Sequence, residues 1–151
     1  FIKETKLKKN IFFYPYALFY KNKKVKLYKD PTNRVKSASV TNFFSFNKKS
    51  FFFAKAYNLH TLKAKFKDKK IDILKLDIEG AAENLILDAF EKKIYPKQIV
   101  SAFEVPLNYF EFFEFLKNIH KLIKILKINY DLYNIRDRSR GVEMEILAIK
   151  R

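Results

Sequence analysis

One segment, IDILKLDIEG at residues 71–80, constrains the fold more than any other part of the sequence. Its branched apolar side chains predict a β-strand that is buried on both faces. The strand ends in Asp77, Glu79 and Gly80, and residues 81–93 follow with the apolar spacing of a helix. A strand, a sharp turn and a helix form the unit of parallel α/β sheets, where ligands bind beyond the carboxyl ends of the strands. The sequence therefore predicts a ligand site around Asp77 and Glu79.

Downstream, the chain predicts three more strands and a long helix. Residues 98–105 have the composition of a second buried strand, and Pro106 then favours the start of a helix with a broad apolar stripe. Residues 128–135 and 142–149 predict two closing strands, joined by an arginine-containing turn. These elements extend the predicted sheet on the carboxyl side of the central segment.

Upstream, the pattern is less regular. Residues 11–20, which Pro15 interrupts, and residues 25–28 resemble a β-hairpin. Residues 30–55 mix serines with phenylalanines, which predicts a long loop acting as a flap over a substrate or cofactor. Residues 54–59 predict a short strand, and residues 62–70 predict a short basic helix that leads into the central segment.

The central segment resembles the IDxLKxDxEGaE signature of the FkbM-type S-adenosylmethionine-dependent methyltransferases. Residues 100–104, VSAFE, are similar to the next strand of that family, which also ends in a glutamate, here Glu104. The match departs from the family at Ala82, where the family has glutamate, and this chain has Glu83 one place later.

The resemblance extends more weakly to both ends of the chain. Residues 13–18, FYPYAL, resemble the family's pyAl segment, and residues 130–136 and 143–149 resemble its two terminal strands. What the resemblance implies is an α/β fold with an incomplete Rossmann-like sheet of the class I methyltransferase kind. That sheet would be mostly parallel, with an antiparallel pair of terminal strands.

The family also has a glycine-rich loop that cradles the cofactor. The two glycines of this chain, Gly80 and Gly141, do not lie in such a loop. Since the sequence also begins with Phe1 and not with methionine, we expect residues 1–151 to form a single partial domain. The segment that carries the cofactor loop would precede it.

By the same resemblance, the chain is expected to take part in O-methylation of a carbohydrate or another small hydroxylated acceptor, with S-adenosylmethionine as cofactor. Ala17 and Leu18 match positions near the adenine, and Asp77 is expected beside the cationic sulfonium. Glu79 is a candidate base or hydrogen-bond partner on the acceptor side, and Glu104 is a candidate for orienting the acceptor. Alternatively, Asp77 and Glu79 only cap the following helix, and Ala17 and Leu18 are ordinary strand residues.

The net charge of +16 supports a second class of function, a basic module that binds nucleic acid or an anionic surface. The excess is mostly lysine scattered among phenylalanine, asparagine and isoleucine, which an AT-rich coding sequence also produces. A binding module requires lysines on one contiguous face, whereas an enzyme requires carboxylates that converge in a crevice. We expect the enzyme, with a small-molecule or glycan substrate and no specific nucleic-acid partner. A decayed enzyme that keeps the fold and binds nothing is a third alternative.

Some functions are excluded by composition. Cysteine is absent, which removes disulfides and thiolate nucleophiles and suits the cytoplasm, the expected location. No apolar run approaches the roughly 18 residues of a membrane span. The histidines, His60 and His120, have no carboxylate cluster nearby in sequence, so no metal site is predicted.

Overall fold

The computed structural model describes residues 14–29, 38–39, 51–67, 70–78, 80–106, 109–135 and 143–151. In chain order its elements are β1 (Ala17–Leu18), β2 (Lys23–Lys29), β3 (Ala38–Ser39), β4 (Phe51–Tyr57), α1 (Leu59–Phe66), β5 (Ile73–Leu76), α2 (Ala82–Glu91), β6 (Gln98–Glu104), α3 (Tyr109–Asn129), β7 (Tyr130–Asn134) and β8 (Glu143–Lys150). The strands form two sheets, with the orders β1-β4-β2-β3 and β5-β6-β8-β7. The candidate site is formed where the second sheet meets the end of β1.

The first sheet is mixed. β1 runs parallel to β4, while β2 is antiparallel to both β4 and β3. The predicted hairpin between residues 11–20 and residues 25–28 is therefore wrong, because the two segments flank β4 and do not pair with each other. The parallel alignment continues past β1, where the Phe19 N–H donates to the Tyr57 carbonyl at 2.9 Å.

β4 also corrects the predicted flap. The strand begins at Phe51, so the last part of residues 30–55 is a strand and not a loop. Aromatic residues favour strands when a partner is available, and β2 supplies one along residues 51–56 of β4. Residues 30–37 and 40–50 of the predicted flap lie outside the described residues.

The second sheet contradicts the predicted fold class. β5 and β6 are parallel, but β8 lies between β6 and β7 and is antiparallel to both. A mostly parallel, Rossmann-like sheet was the wrong prediction, because only one of these three strand pairings is parallel and the first sheet is mixed as well. The antiparallel pairing of the two terminal strands, β7 and β8, is confirmed.

β5 is buried on one face only. Leu74 and Leu76 join the main core, whereas Ile73 on the opposite face is 63% exposed. The expected burial on both faces is wrong, because β5 is an edge strand and, among the described residues, the core side chains of α2 and α3 pack against one side of the sheet. This difference decides where the side chains after β5 point.

Local signals explain where the helices begin and end. α1 begins at Leu59, earlier than predicted, because the Asn58 side chain accepts the Thr61 N–H at 2.9 Å and so caps the first turn. α2 follows Gly80, whose φ of 76° lies in the region that favours glycine. α3 continues through Asn129, so the strand predicted at residues 128–135 begins at Tyr130, two residues later than predicted.

The main core lies between the second sheet and the two longer helices. It contains Leu85 and Ile86 of α2, Leu122 of α3 and Ile99 of β6, each with no exposed surface. Buried Tyr130 donates its hydroxyl hydrogen to the Pro96 carbonyl at 2.8 Å, which satisfies a polar group inside this core. None of the helices in the described part of the chain has both the length and the apolar character needed to cross a membrane.

Candidate active site

A cavity of about 310 Å³ lies at the N-terminal end of α2, beside the end of β6. Residues from five parts of the chain converge on it: the segment after β1, the turn before α2, the first turn of α2, the end of β6 and the N-terminal half of α3. The lining residues are Phe19, Tyr20, Gly80, Glu83, Asn84, Glu104, Pro106, Glu111, Glu114, Phe115 and Asn118. Four of them carry a carboxylate and none carries a lysine or arginine, so the lining has a negative charge.

Gly80 and Glu104 form the fixed edge of the cavity. The Gly80 N–H donates to Oε2 of Glu104 at 2.9 Å, which joins the turn before α2 to the end of β6. The positive φ of Gly80 makes the turn possible. Glu104 is buried, and its carboxylate lies close to the positive end of the α2 dipole, a favourable place for an anion.

Glu83, in the first turn of α2, is the second buried carboxyl group. Only 7% of its surface is exposed. The pKa of Glu83 is raised to about 7, mainly by burial and in addition by the nearby charges of Glu104 and Glu114, against a backbone hydrogen bond that lowers it. The Glu83 carboxyl group therefore changes protonation state close to neutral pH.

A short chain of amide groups positions Glu83. Asn84 donates from Nδ2 to Oε1 of Glu83 at 3.0 Å. Asn118 of α3 in turn donates from Nδ2 to Oδ1 of Asn84 at 3.3 Å. Through these two hydrogen bonds, α3 helps to hold the Glu83 carboxyl group of α2 in place.

Two aromatic side chains close the opposite side of the cavity. Phe19 is buried and Tyr20 is half-buried, with ring centroids 4.3 Å apart. They lie directly after β1, where the backbone bond from Phe19 to Tyr57 fixes the strand end against β4. The cavity thus combines carboxylates that can exchange protons with flat apolar rings that can contact an organic ligand.

The predicted site residues do not all reach this cavity. Glu104 lines it, whereas Asp77 is exposed and lines a separate cavity on the other face of the second sheet, together with Ser101 and Glu145. The structure therefore does not bring Asp77 and Glu104 into one crevice. Glu79 lies outside the described residues.

The two residues predicted near the adenine lie next to the cavity but are not part of its lining. Ala17 and Leu18 are half-buried in β1, where Ala17 packs against the small core of the first sheet and Leu18 against the main core. The two positions that follow them, the buried Phe19 and the half-buried Tyr20, line the cavity instead.

Sequence reasoning did not select Glu83, Phe19 or Tyr20. For Glu83 a signal was present, since it stands one place after the position where the signature has a glutamate. The helical turn of α2 directs Glu83 toward Glu104, and the sequence contains no direct sign of that contact. Phe19 and Tyr20 looked like ordinary strand aromatics.

The described residues show no side-chain cap at the N-terminus of α2, and Glu79, one of the two alternative caps, lies outside them. The N-cap of α2 is Ala81, which has no side-chain acceptor, and the free N–H of Gly80 goes to Glu104 from another strand. In the described residues, no group of three or more His, Cys, Asp or Glu side chains is arranged to hold a metal ion.

A different cavity, of about 330 Å³, is lined by lysines. It lies at the start of β5 and the end of β8, and its basic members are Lys63, Lys70, Lys93, Lys97 and Lys150. Lys97 forms an ion pair with Asp72 at 2.6 Å, which partly neutralises this lysine groove.

Comparison with known proteins adds no family to this description: no family model, no curated protein and no solved structure matches the chain.

Proposed function

We propose that the chain belongs to an S-adenosylmethionine-dependent methyltransferase that methylates a hydroxyl group of a carbohydrate or a similar small acceptor. The observation that carries the proposal is the buried Glu83, with a pKa of about 7, beside Glu104 in the cavity that follows the signature segment. A general base works best when its pKa lies near the operating pH. The resemblance of residues 71–80 supplies the reaction class, and the cavity supplies a group suited to the proton transfer.

The residues of the cavity fit the cofactor, because their charge is opposite to that of the sulfonium and their aromatic rings are flat like the adenine. Carboxylates at Glu83 and Glu104 favour a cationic sulfonium, and the rings of Phe19 and Tyr20 offer a flat surface to an adenine. The volume of about 310 Å³ lies at the lower end of the range of ligand cavities. In this proposal the cavity therefore holds only a part of the cofactor and the reacting group of the acceptor. The cofactor, when bound, supplies the electrophilic methyl group.

The chain's own residues then handle the acceptor. In this proposal Glu83, in its ionised form, accepts the proton of the acceptor hydroxyl as the oxygen becomes the nucleophile. Glu104, which the Gly80 N–H holds in place, accepts a hydrogen bond from a second group of the acceptor and fixes its orientation. Asn84 donates to Oε1 of Glu83 and so helps to orient the carboxyl group.

The other predicted site residues have roles that depend on how far the bound cofactor extends beyond the cavity. Asp77 contacts the methionine part only if the cofactor extends to the open face of the second sheet, where Asp77 lies. Ala17 and Leu18 support the rings that follow them. Glu79 remains a candidate for the acceptor side. The same proposal implies a small-molecule or glycan substrate, and a cytoplasmic location where the methyl donor is present.

The test is calorimetric titration of S-adenosylmethionine and of S-adenosylhomocysteine into the whole product of the gene. The first ligand carries a positive sulfur and the second does not. We expect Glu83→Gln and Glu104→Gln to weaken binding of the cation about tenfold, ~1.4 kcal/mol, and to change binding of the neutral product much less. The matched control is Glu91→Gln, an exposed position at the end of the same helix.

Two results would overturn the proposal. One is the absence of binding by either ligand. The other is an equal effect of Glu83→Gln and Glu91→Gln on the cation, since that would reflect overall charge and not the cavity. The second class of function considered for the sequence, binding to a polyanion, concerns a different surface of the molecule.

A further inference from the structure

The outward face of the first sheet carries alternating lysines and aromatic rings. On β4, Phe51, Phe53, Lys55 and Tyr57 are spaced two residues apart and so share one face. Lys24 and Lys26 of β2 lie opposite Lys55 and Phe53 in the register, which places them on the same face. These six residues are the lysine–aromatic face.

The rings of this face are accessible to a ligand. Phe51 is 42% exposed and Phe53 is 54% exposed, although both lie within a regular, paired strand. Their centroids are 5.7 Å apart, with the rings nearly perpendicular. Large apolar side chains that remain exposed next to each other mark an interaction surface more often than scattered ones do.

The lysines of the face are placed over the rings. The Nζ of Lys26 lies 3.9 Å from the centroid of Phe51, and the Nζ of Lys24 lies 4.8 Å from that of Phe53. Lys55 similarly lies 5.3 Å from the ring centroid of Tyr57. Positive charge and flat apolar surface therefore alternate along the face over a few ångströms.

The described strands and helix around these lysines contain no carboxylate that would balance their charge. Residues 14–29 and 51–67, which form β1, β2, β4 and α1, contain many lysines but neither aspartate nor glutamate. The carboxylates of the described residues all belong to residues 70–151, on and around the second sheet. Among the described residues, the carboxylates are thus confined to the second sheet and its helices, and the strands of the first sheet attract anions.

The opposite side of the same sheet is packed around Val25 and Ala56, which fixes the face. Val25 is 4% exposed and Ala56 is 1% exposed, and both join a small core with Phe19 and Ala81. Because the strand period is two, burial of these positions directs Lys24, Lys26, Phe53 and Lys55 outward. The face is therefore a consequence of the fold and not of side-chain freedom.

We propose that the lysine–aromatic face binds single-stranded nucleic acid, with bases stacked on Phe51 and Phe53 and phosphates paired with Lys24, Lys26 and Lys55. Sequence-tolerant binding of single strands combines a basic surface that follows the backbone with aromatic rings that stack on successive bases. A polyanion without bases can contact only the lysines of the face. In a duplex the bases are paired and stacked on each other, so they cannot stack on Phe51 and Phe53. This inference goes beyond the methyl-transfer proposal and departs from the sequence-based expectation of no specific nucleic-acid partner.

The test is fluorescence polarisation with a labelled 20-nucleotide oligothymidylate, the same-length duplex, and heparin as a competitor. Phe53→Leu removes a ring from an exposed position but keeps an apolar, strand-compatible side chain. We expect it to weaken oligothymidylate binding about tenfold. We expect the pair Lys24→Gln and Lys26→Gln to weaken binding and to reduce the slope of its salt dependence by about 1.4.

Matched controls separate this surface from net charge. The pair Lys117→Gln and Lys124→Gln removes the same number of positive charges from exposed positions of α3. Its affinity for the oligothymidylate should stay within about twofold of that of the unsubstituted protein. Equal loss in both lysine pairs would overturn the proposal, as would no loss in Phe53→Leu. Loss with the pair Lys93→Gln and Lys150→Gln instead would assign the binding to the lysine groove. Preference for heparin, for a duplex or for vesicles of anionic lipid over the single strand would also contradict it.

Discussion

The Gly80 N–H donates to Oε2 of Glu104 at 2.9 Å across 24 positions of sequence. This contact joins the end of the signature segment to the end of the neighbouring strand, and it brings Glu104 next to Glu83 in the first turn of α2. Two buried carboxyl groups near one helix N-terminus make the free energy of the site depend on protonation. Most of what we expect of this molecule follows from that arrangement.

Glu104→Gln should lower the pKa of Glu83. The substitution removes a negative charge that raises this pKa, and the amide oxygen can still accept from Gly80. Burial is the largest cause of the shift and remains, so the pKa should fall from about 7 without returning to its ordinary value of 4.5. Carboxyl-carbon NMR titration measures it. A Glu83 pKa that is unchanged or raised in the variant contradicts the arrangement.

Glu83 should make the protein less stable as the pH rises. Its folded pKa of about 7 lies above the ordinary 4.5, so the folded state binds the proton more tightly and stability falls between these two values. The loss amounts to about 3 kcal/mol at most. Glu83→Gln should therefore unfold at higher urea than the unsubstituted protein at pH 8, and at similar urea at pH 4.5. Glu91→Gln is the control, and an equal gain at both pH values would refute this explanation.

Tyr130→Phe should destabilise the main core. The buried hydroxyl donates to the Pro96 carbonyl, and its loss leaves that acceptor without this partner, at a cost of about 1–2 kcal/mol. Tyr133→Phe, at an exposed position of the same strand, should change the free energy of unfolding by less than about 0.5 kcal/mol. Equal effects of the two substitutions in urea unfolding would show that the hydrogen bond contributes nothing.

Asn58→Ala should destabilise the start of α1. The Asn58 side chain accepts the Thr61 N–H as the helix cap, and alanine removes this acceptor while keeping the backbone N–H that donates to Asn22. Loss of the cap costs about 1 kcal/mol. Asn58→Asp keeps an acceptor at the cap and should retain most of the stability, measured by thermal unfolding. If aspartate and alanine are equally destabilising, the capping interpretation is wrong.

The second half of the fold was more predictable than the first. The strand at residues 98–104 and the helices α2 and α3 have long, clear apolar periods, and these determined their positions to within a few residues. The partners of each strand were not visible in the same way. β1 and β2 both pair with β4, which begins at Phe51. The aromatic residues there do not indicate whether a partner strand lies nearby, so the sequence alone predicted neither the start of this strand nor its partners.

The same distinction applies to the site. Glu104 was identified because it ends a strand beside a recognisable segment. Glu83 was passed over because its importance comes from burial and from the negative charges around it, which depend on how α2, β6 and α3 pack. Asp77 was expected in the same crevice, but an edge strand with one open face directs it elsewhere.

The most direct test of the account is an NMR titration of the Glu83 carboxyl carbon in the whole product of the gene, with Glu91 as an internal reference in the same spectra. We expect a midpoint for Glu83 near 7, since the group is buried and faces other carboxylates. We also expect bound S-adenosylmethionine to lower that midpoint, because a nearby cation favours the carboxylate. A midpoint near the ordinary 4.5, or one that the cofactor leaves unmoved, would contradict the proposed proton acceptor.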